Sequence, residues 1–453
     1  MTSRREFLRL AAGGVAAATL GGACGSDSSS KTTKAEGKNA ANRATRPTLR
    51  IAQWNHLHPG YDVWFDGEYV KRWGDEHDVD VVVDHLPYGQ LLTRADIEVR
   101  ERRGHDLFAF PIGLPIRFED SVIDHGDIVE EARRRVGPMA PHVERSVRNA
   151  KTGRFFAVSD WWGAGPTIYR SDLWSKTGVT PATWDDVRRA GPALKAAGHP
   201  IGIGMAPEGD AQITLGSLMF CYGGSIQDEE GNVTIGRPAT VEALKVGVEI
   251  YRKGMTPEVL DWNDPVSDNR ALLSGQASLI VDPISSVRAA ETQNPALAPK
   301  LAISRAPAGP AGAFGGPVQH SYFVWQFAEQ RELAEQFLVD LVIDYREPFL
   351  RSGFYNLPSF PGGLPGLGGL LAADVAADPK GKYSVLANAA EWSTNAGHPG
   401  HDNAAIEEVV NQYIVPKMFA AAARGDLSAE AAVREAETQV KQIFDKWRGQ
   451  GKI

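Results

Sequence analysis

Alternating strand-like and helix-like segments near the start of the chain limit its possible folds more than any other feature. Short apolar runs alternate with runs of helical period between residues 48 and 110. The predicted strands are residues 49–54, 79–85 and 106–110, and the predicted helices are residues 63–76 and 90–102. This alternation predicts an α/β fold containing a parallel sheet with crossover helices.

Candidate ligand-binding residues follow from this sheet, because ligands of such sheets lie beyond the carboxyl ends of the strands. Trp54, His56 and Phe110 stand at or just after two of these ends. Trp54 can equally pack inside the fold, and His56 can equally be a solvated loop residue.

Composition and charge are those of a soluble globular protein. The chain has 453 residues, of which 43% are hydrophobic and 23% charged, and its formal net charge is −8. This is enough chain for two domains with separate cores. The acidic balance, without a basic stripe interleaved with aromatic residues, argues against a nucleic-acid partner.

The first 24 residues resemble a twin-arginine export signal that ends at a lipoprotein cysteine. Ser3, Arg4 and Arg5 are followed by Glu6-Phe7-Leu8, an apolar run over residues 10–20, and Cys24. Leu20 stands four residues before Cys24, where three is usual, so the lipid-attachment motif departs from its pattern. The run is shorter than the roughly 20 apolar residues that a membrane span needs.

The export signal implies a location on the extracytoplasmic face of the cell membrane, with the lipid on Cys24 as the anchor. Residues 25–46 have no apolar period and are expected to form a flexible tether. Cys221 then lacks a partner cysteine, so we expect no disulfide and a buried, inert thiol.

Residues 154–189 contain the most informative local pattern. Residues 155–159 and 167–169 are predicted strands, and residues 160–166 are predicted to break them apart. This break carries Asp160, Trp161 and Trp162. Broad apolar rings beside a carboxylate suit a ligand with a flat face and a hydroxylated edge. Because side chains alternate along extended chain, we expect one tryptophan to face the ligand and the other to face the interior.

Three segments of the chain resemble the family 1 extracellular solute-binding proteins, the sugar-capturing subunits of bacterial ABC importers related to maltose-binding protein. The first segment contains, in this order, the motifs Y-R-S-D-L, G-V, P and T-W-D-D-V. Thr183, the first residue of T-W-D-D-V, is the predicted cap of the helix that follows. The second is G-G-S-I-Q-D-E-E-G-N-V with the helix that follows it, and the third is L-L-S-G-Q-A-S-L-I-V-D-P.

The resemblance implies a type II periplasmic-binding-protein fold with two lobes, each a sheet flanked by helices, joined by a hinge that the chain crosses several times. One lobe would comprise residues 47–163 and 307–346, and the other residues 164–306 and 347–453. The three crossings would lie near residues 160–166, 301–316 and 351–358. Two lobes of this kind close on a ligand at the hinge.

Further candidate ligand-binding residues follow from the implied cleft, and most have an equally good structural explanation. Asp210 and Asp282 can bind sugar hydroxyls or cap helices. Gly316 can let backbone approach a ligand or belong to a flexible loop, and Trp392 can stack on a sugar or lie in the core. The remaining candidates in the cleft are Gln212, Tyr355 and His398.

No catalytic motif accompanies these residues. The chain lacks G-x-S-x-G, a phosphate-binding G-x-x-x-x-G-K-S/T loop, H-E-x-x-H and a cysteine-rich metal motif. His398 and His401 around a Pro-Gly turn could bind zinc, but an ordinary polar loop explains them better. We therefore expect no cofactor, no metal and no enzyme activity.

The sequence thus predicts a monomeric binding lipoprotein that captures a carbohydrate and delivers it to the membrane subunits of an ABC permease. Two alternatives are a binding protein for a polyol or glycerophosphate-type solute and a sensor that passes its ligand to a signalling receptor. An extracytoplasmic enzyme is a weaker alternative, since Asp160, Asp282 and the histidines fit binding equally well.

Overall fold

A computed structural model describes residues 46–110 and 115–453 of the chain. The predicted export signal, with Arg4, Arg5 and Cys24, lies outside the described residues, as does the predicted tether up to residue 45. Within the described ranges, no helix combines the length and the apolar character needed to cross a membrane.

Strands and helices alternate through the first part of the chain, and helices dominate its end. The strands are β1 (Thr48–Trp54), β2 (Asp80–Leu86), β3 (Leu107–Phe110), β4 (Val158–Gly163), β5 (Thr167–Arg170), β6 (Leu279–Val281), β7 (Leu301–Ser304), β8 (Ala308–Gly309), β9 (Gly312–Ala313), β10 (Val318–Val324) and β11 (Leu357–Pro358). The helices before β6 are α1 (Pro59–Trp64), α2 (Val70–Glu76), α3 (Tyr88–Glu101), α4 (Gly126–Val136), α5 (Pro141–Val147), α6 (Ser171–Trp174), α7 (Trp184–Ala196), α8 (Gly209–Cys221), α9 (Pro238–Gly254) and α10 (Ser267–Leu273). Those after β6 are α11 (Ser285–Gln293), α12 (Arg331–Ile343), α13 (Arg346–Arg351), α14 (Leu367–Ala372), α15 (Ala404–Asn411), α16 (Ile414–Arg424) and α17 (Ala429–Gly449).

The larger sheet has the strand order β11-β4-β10-β3-β1-β2. β1 pairs in parallel with β2 and β3, which confirms the parallel arrangement predicted from the alternation. β10 returns from much later in the chain and pairs antiparallel with both β3 and β4. The core of this sheet includes Ile51, Leu107 and Phe323, each with no exposed surface.

The smaller sheet has the order β6-β5-β7, and both of its pairings are antiparallel. Its two faces belong to different apolar clusters. Leu279 packs in the cluster built by helices α7, α8, α9, α16 and α17, whereas Ile280 packs in the cluster that also contains the larger sheet. The described part of the chain is therefore an α/β fold with two main sheets, each covered by helices, as the sequence predicted; β8 and β9 pair as a separate two-stranded sheet.

The chain passes between the two sheets at segments that touch one another. The first passage is residues 163–167, and the second is the run from β7 to β10. A side chain at Gly165 would lie 2.7 Å from the carbonyl oxygen of Gly316 in the second passage. Both glycines are needed here for close backbone approach rather than for an unusual dihedral angle.

The expected break between strands at residues 160–166 is wrong. Asp160, Trp161 and Trp162 lie inside β4, and the strand ends only at Gly163. The strand continues because it is covered on both edges, with His320 of β10 paired to Trp161 on one side and Leu357 of β11 paired to Trp162 on the other. In this first passage, only residues 164–166 lie between β4 and β5.

Two further boundaries differ from the predictions. The third passage was expected at residues 351–358, but β11 pairs with β4 and the turn Pro361–Gly363 still packs against α4 and α12 of the larger sheet. The chain then reaches the smaller sheet at residues 382–391, which contact β7. The apolar period of residues 406–424 predicts a single helix, but Tyr413 adopts a left-handed conformation (φ 53°) and separates α15 from α16.

Candidate functional site

A cavity of about 90 Å³ lies between the parts of the chain that carry the two sheets, and we call it the large cavity to distinguish it from a smaller one described below. Helix α5 and the beginning of β10 line it from the larger sheet, and α8 lines it from the smaller sheet. A loop over residues 394–402 covers a third side. The polar lining residues are Ser146, Gln212, Gln319, Ser321, Thr394, Asn395 and Asp402.

The cavity combines apolar surface with a few placed polar groups. Ile213, Met219 and Phe220 present apolar surface from α8. Gln212 on the same helix is only 8% exposed, and its Oε1 has no hydrogen-bond partner among the described residues. A buried amide oxygen without a partner is costly in the empty protein and is therefore ready to accept a hydrogen bond from a ligand.

Hydrogen bonds from the larger-sheet side to residues 395–407 close one wall of the cavity. The backbone NH of Asp402 donates to the carbonyl oxygen of Arg145 (2.9 Å), and the backbone NH of Arg117 donates to Glu407 Oε2 (2.8 Å). Arg145 Nε also donates to Asn395 Oδ1 (3.2 Å). We call these three contacts the clasp. Burial raises the pKa of Glu407 to about 8.

A second, smaller cavity of about 10 Å³, the small cavity, lies at the passages between the sheets. It is lined by Gly165 and Gly316 from the two passages and by Asp210 and Asp282 from the smaller sheet and its helices. The carboxylates of Asp210, Asp268 and Asp282 offer oxygen atoms that all lie within 4.8 Å of one another. We call these three residues the aspartate cluster.

Neither Asp210 nor Asp282 has the capping role that was the alternative explanation for it. The cap of α8 is Glu208, whose carboxylate accepts from the backbone NH groups of Asp210 (2.7 Å) and Ala211 (2.5 Å). The cap position of α11 is Ile284, not Asp282. Both aspartates therefore lie beside the small cavity without a structural role at a helix end.

Trp161 belongs to a buried aromatic cluster on one face of β4. Its ring stacks on that of His320, with centroids 5.0 Å apart and planes within 4°. Asp160 Oδ1 accepts from His320 Nδ1 at 2.7 Å and so orients the imidazole. Trp54 and Tyr355 lie 6.4 and 5.7 Å from Trp161, ring centroid to ring centroid.

Trp162 points to the opposite face of the strand, as alternation along β4 requires. Its ring meets that of His142 edge to face at 4.4 Å, and its Nε1 donates to the carbonyl oxygen of Pro358 at 3.2 Å. Trp161 is 1% exposed and Trp162 is 3% exposed. Neither lines the two cavities described above, so their contact with a ligand stays a prediction.

The other two aromatic candidates lie in two different places. Phe110 stacks between Phe108 and Phe323 in the core of the larger sheet. Trp392 packs against Gly315, whose backbone NH donates to the Trp392 carbonyl oxygen at 2.6 Å. Phe110 and Trp392 are both buried, at 7% and 6% exposed.

The two histidine candidates are held by protein groups. Nε2 of His56 is hydrogen-bonded to Asn356 Oδ1 at 2.9 Å, and burial lowers its pKa to about 3. His398 lies beside the rings of Phe220 and Phe314, and its Nδ1 is hydrogen-bonded to Thr394 Oγ1 at 2.9 Å. The His398 ring adjoins the large cavity through Phe220 and Thr394, which line it.

The structure brings together a subset of the predicted residues and adds others. Gln212 and Gly316 line the large cavity, and Asp210, Asp282 and Gly316 line the small one. Sequence reasoning missed Asp268 and Asn395. Asp268 stands at the start of a polar helix where a solvated aspartate is ordinary, and Asn395 lies in a loop without a pattern, so neither carried a local signal.

Two sheets joined by several passages, with a cavity between them, define the class of two-lobed solute-binding proteins of type II. The chain matches the model of the bacterial extracellular solute-binding protein family over residues 64–339. That range is more than half of the chain, and the protein belongs to this family. The resemblance drawn from its sequence is thereby confirmed.

Solved structures support the same fold at low sequence identity. A sugar transporter protein of Arthrobacter chlorophenolicus with bound laminaribiose is 15% identical (TM-score 0.71), and 87% of this chain and 99% of that one align. A maltose-bound protein of T. maritima is 16% identical (TM-score 0.70), with the same coverage of 87% and 99%. A ribitol-bound solute-binding protein of Agrobacterium radiobacter is 18% identical (TM-score 0.69), covering 88% and 98%.

One curated relative also matches. It is described as a probable ABC transporter-binding protein of Deinococcus radiodurans, and it is 24% identical over 182 residues. The match covers 38% of this chain and 43% of the relative, so the chain aligns with less than half of that protein's length.

Proposed function

We propose that the protein binds a carbohydrate, a mono- or oligosaccharide, in the cavity between its two sheets and releases it to an ABC permease. The observation that carries this proposal is the large cavity itself. Its apolar walls on α8 suit the CH face of a sugar ring, and its amide and hydroxyl groups suit the ring's hydroxyls. Two of the relatives with this fold are described as bound to disaccharides, laminaribiose and maltose.

A ligand screen tests the proposal most directly. Thermal unfolding of the purified chain is followed with monosaccharides, oligosaccharides, polyols and glycerophosphates, because a ligand that binds only the folded state raises Tm. A Tm rise with a carbohydrate supports the proposal. A rise only with polyols such as ribitol, or only with glycerophosphates, would replace carbohydrate by that solute class, and no rise at all would contradict binding in this cavity.

A variant of Gln212 tests whether the ligand found in the screen binds in the large cavity. Gln212→Leu removes the unpartnered Oε1 at nearly constant volume, so affinity for the ligand found in the screen should fall about tenfold while Tm of the free protein stays the same or rises. Gln412→Leu on the exposed end of α15 is the matched control and should leave affinity unchanged. Equal affinity in wild type and Gln212→Leu would place the ligand elsewhere.

Export and anchoring are the second part of the proposal. Arg4 and Arg5 direct export by the twin-arginine route, and Cys24 carries the lipid that holds the protein at the outer face of the membrane. Arg4→Lys with Arg5→Lys should leave full-length precursor in the cytoplasm, whereas Cys24→Ala should release exported protein in soluble form. Normal surface levels of the first variant, or membrane-bound Cys24→Ala, would contradict the signal.

Binding without catalysis and action as a monomer complete the proposed function. Asp160 and His320, two residues that an enzyme could use, are buried and hydrogen-bonded to each other. The chain would pass from one lobe to the other at residues 163–167, again before β10, and a third time after residue 363. The two lobes would close on the carbohydrate, and the closed form would dock on the permease.

A further inference from the structure

The aspartate cluster concentrates negative charge in a buried place without a positive partner. Asp268 and Asp282 are each 6% exposed, and Asp210 on α8 is half buried. Within residues 46–110 and 115–453, no lysine, arginine or histidine forms an ion pair with any of the three; the nearby Arg270 pairs with Asp264 instead. Three buried carboxylates this close repel one another unless a cation or protons neutralise them.

Burial and mutual repulsion act in the same direction on these groups. Burial, followed by the charges of Asp268 and Asp210, raises the pKa of Asp282 well above its ordinary value. Burial likewise raises the pKa of Asp268 to about 7. Carboxylates that would be charged in water are thus held in an unfavourable environment, which a bound cation would relieve.

Asn269 is an independent observation that points to a ligand at the cluster. Its side chain is 7% exposed, and its Oδ1 has no hydrogen-bond partner in the described part of the chain. Its amide lies close enough to the Asp282 carboxylate to lower the pKa of that carboxyl by hydrogen bonding. A buried side-chain amide beside the Asp282 carboxylate, with an oxygen that has no partner, is a group that can coordinate a cation.

The space beside the cluster completes the site. The small cavity reaches Asp210 and Asp282 and is also lined by Thr214 and Ser217, and its volume of about 10 Å³ is close to the space that one ion or one water needs. The oxygen atoms of the cluster lie within 4.8 Å of one another, which matches ligands across a calcium ion, since calcium–oxygen distances are about 2.3–2.6 Å.

We propose that Asp210, Asp268 and Asp282, with Asn269 Oδ1, bind one divalent cation of the calcium type at the base of the space between the lobes. A donor set made only of oxygen atoms selects a hard cation rather than zinc or copper. The charge favours a divalent ion over the ammonium group of an amino sugar, because a single positive charge would leave two of the three carboxylates unneutralised.

The proposed ion would fasten three elements of the smaller sheet to one another. Asp210 stands in the first turn of α8, Asp268 in α10, and Asp282 directly after β6. The ion would therefore stabilise the lobe that carries the smaller sheet, next to the close approach of Gly165 and Gly316. This cation site is independent of the proposed carbohydrate and is tested without one.

Calcium titration of the full chain tests the site. After treatment with EDTA and its removal, isothermal titration calorimetry with calcium chloride should give one site per chain, and Tm should rise with calcium more than with magnesium. Asp268→Asn and Asp282→Asn should each weaken calcium binding about tenfold or more. Both variants should still fold, because each removes a repelling charge. Asp264→Asn, on the same loop but paired with Arg270, should bind calcium as the wild type does.

The proposal is wrong if calcium gives neither heat nor a Tm rise in the wild type. It is equally wrong if Asp268→Asn and Asp282→Asn bind calcium like the wild type, or if an amino sugar raises Tm where calcium does not. Because no carbohydrate enters the titration, its outcome is separate from that of the ligand screen.

Discussion

His142 shows how a single buried side chain can set the pH dependence of this fold. Both ring nitrogens lack hydrogen-bond partners among the described residues, and the ring packs against Trp162. Burial, with a smaller effect from Arg145, lowers the pKa of His142 to about 3. The unfolded chain therefore takes up a proton near pH 6.5, whereas the folded chain does not.

His142→Phe should make the protein less sensitive to acid. As pH falls from 6.5 toward 3, the unfolded state binds one more proton at His142 than the folded state, so stability falls by up to about 1.4 kcal/mol per pH unit from this group. The variant should lose this contribution and be at least as stable at pH 7. Urea unfolding at several pH values measures it, with His199→Phe as a half-exposed control; an unchanged pH slope in His142→Phe would contradict the assignment.

Trp161 and Trp162 should both be important for stability, because both are buried on opposite faces of β4. Trp161→Ala and Trp162→Ala should each lower the free energy of unfolding by about 3–5 kcal/mol, as large-to-small changes in a packed core do. Denaturant titration gives this loss, and ligand titration of the same variants tests the cleft role. If one variant loses affinity but little stability, that ring faces the ligand, contrary to the packing seen here.

At the scale of elements, the two passages between the sheets depend on a close backbone contact between Gly165 and Gly316. Gly165→Ala would place a methyl group 2.7 Å from the carbonyl oxygen of Gly316, a distance that backbone atoms cannot accommodate without moving. We expect a lower Tm and weaker ligand binding, because the two passages would have to separate. Thermal unfolding and ligand titration test both effects.

Gly369→Ala in α14 is the control for this substitution. Nothing lies within 4 Å of a side chain at Gly369, so alanine there should be neutral or stabilise the helix by roughly 0.5–1 kcal/mol. If Gly165→Ala behaves like Gly369→Ala, the close approach of the passages has no energetic role.

For the whole molecule, the clasp predicts that closure of the two lobes depends on pH. Glu407 lies in the clasp, and burial raises its pKa to about 8. When the lobes separate, its carboxyl returns toward an ordinary pKa near 4.3. At a pH between these two pKa values, the closed state therefore holds one more proton than the open state. Closure of the lobes should weaken as pH rises through this range and strengthen as pH falls.

Small-angle scattering measures this effect as a radius of gyration. The radius of the ligand-free wild type should increase between pH 5 and pH 8.5, while that of Glu407→Gln should change less, since glutamine has no proton to lose. Glu408→Gln, at the neighbouring position of α15, keeps the titrating group and is the matched control. A radius that does not vary with pH in the wild type would contradict the prediction.

The sequence by itself determined the class of fold and the family. Strand and helix periods are local properties of neighbouring residues, so β1, β2, β3 and the helices between them could be predicted. Capping is local too: Thr183 accepts from the backbone NH of Asp186 at 3.0 Å, as predicted from the start of α7.

Only the tertiary structure decided which residues meet. β4 extends through Trp161 and Trp162 because β10 and β11, from much later in the chain, pair with it. Asp268 joins Asp210 and Asp282 because α10 folds against β6 and α8, although more than fifty residues separate Asp210 from Asp268. Pairing and convergence of this kind depend on contacts distant in sequence, and no local pattern encodes them.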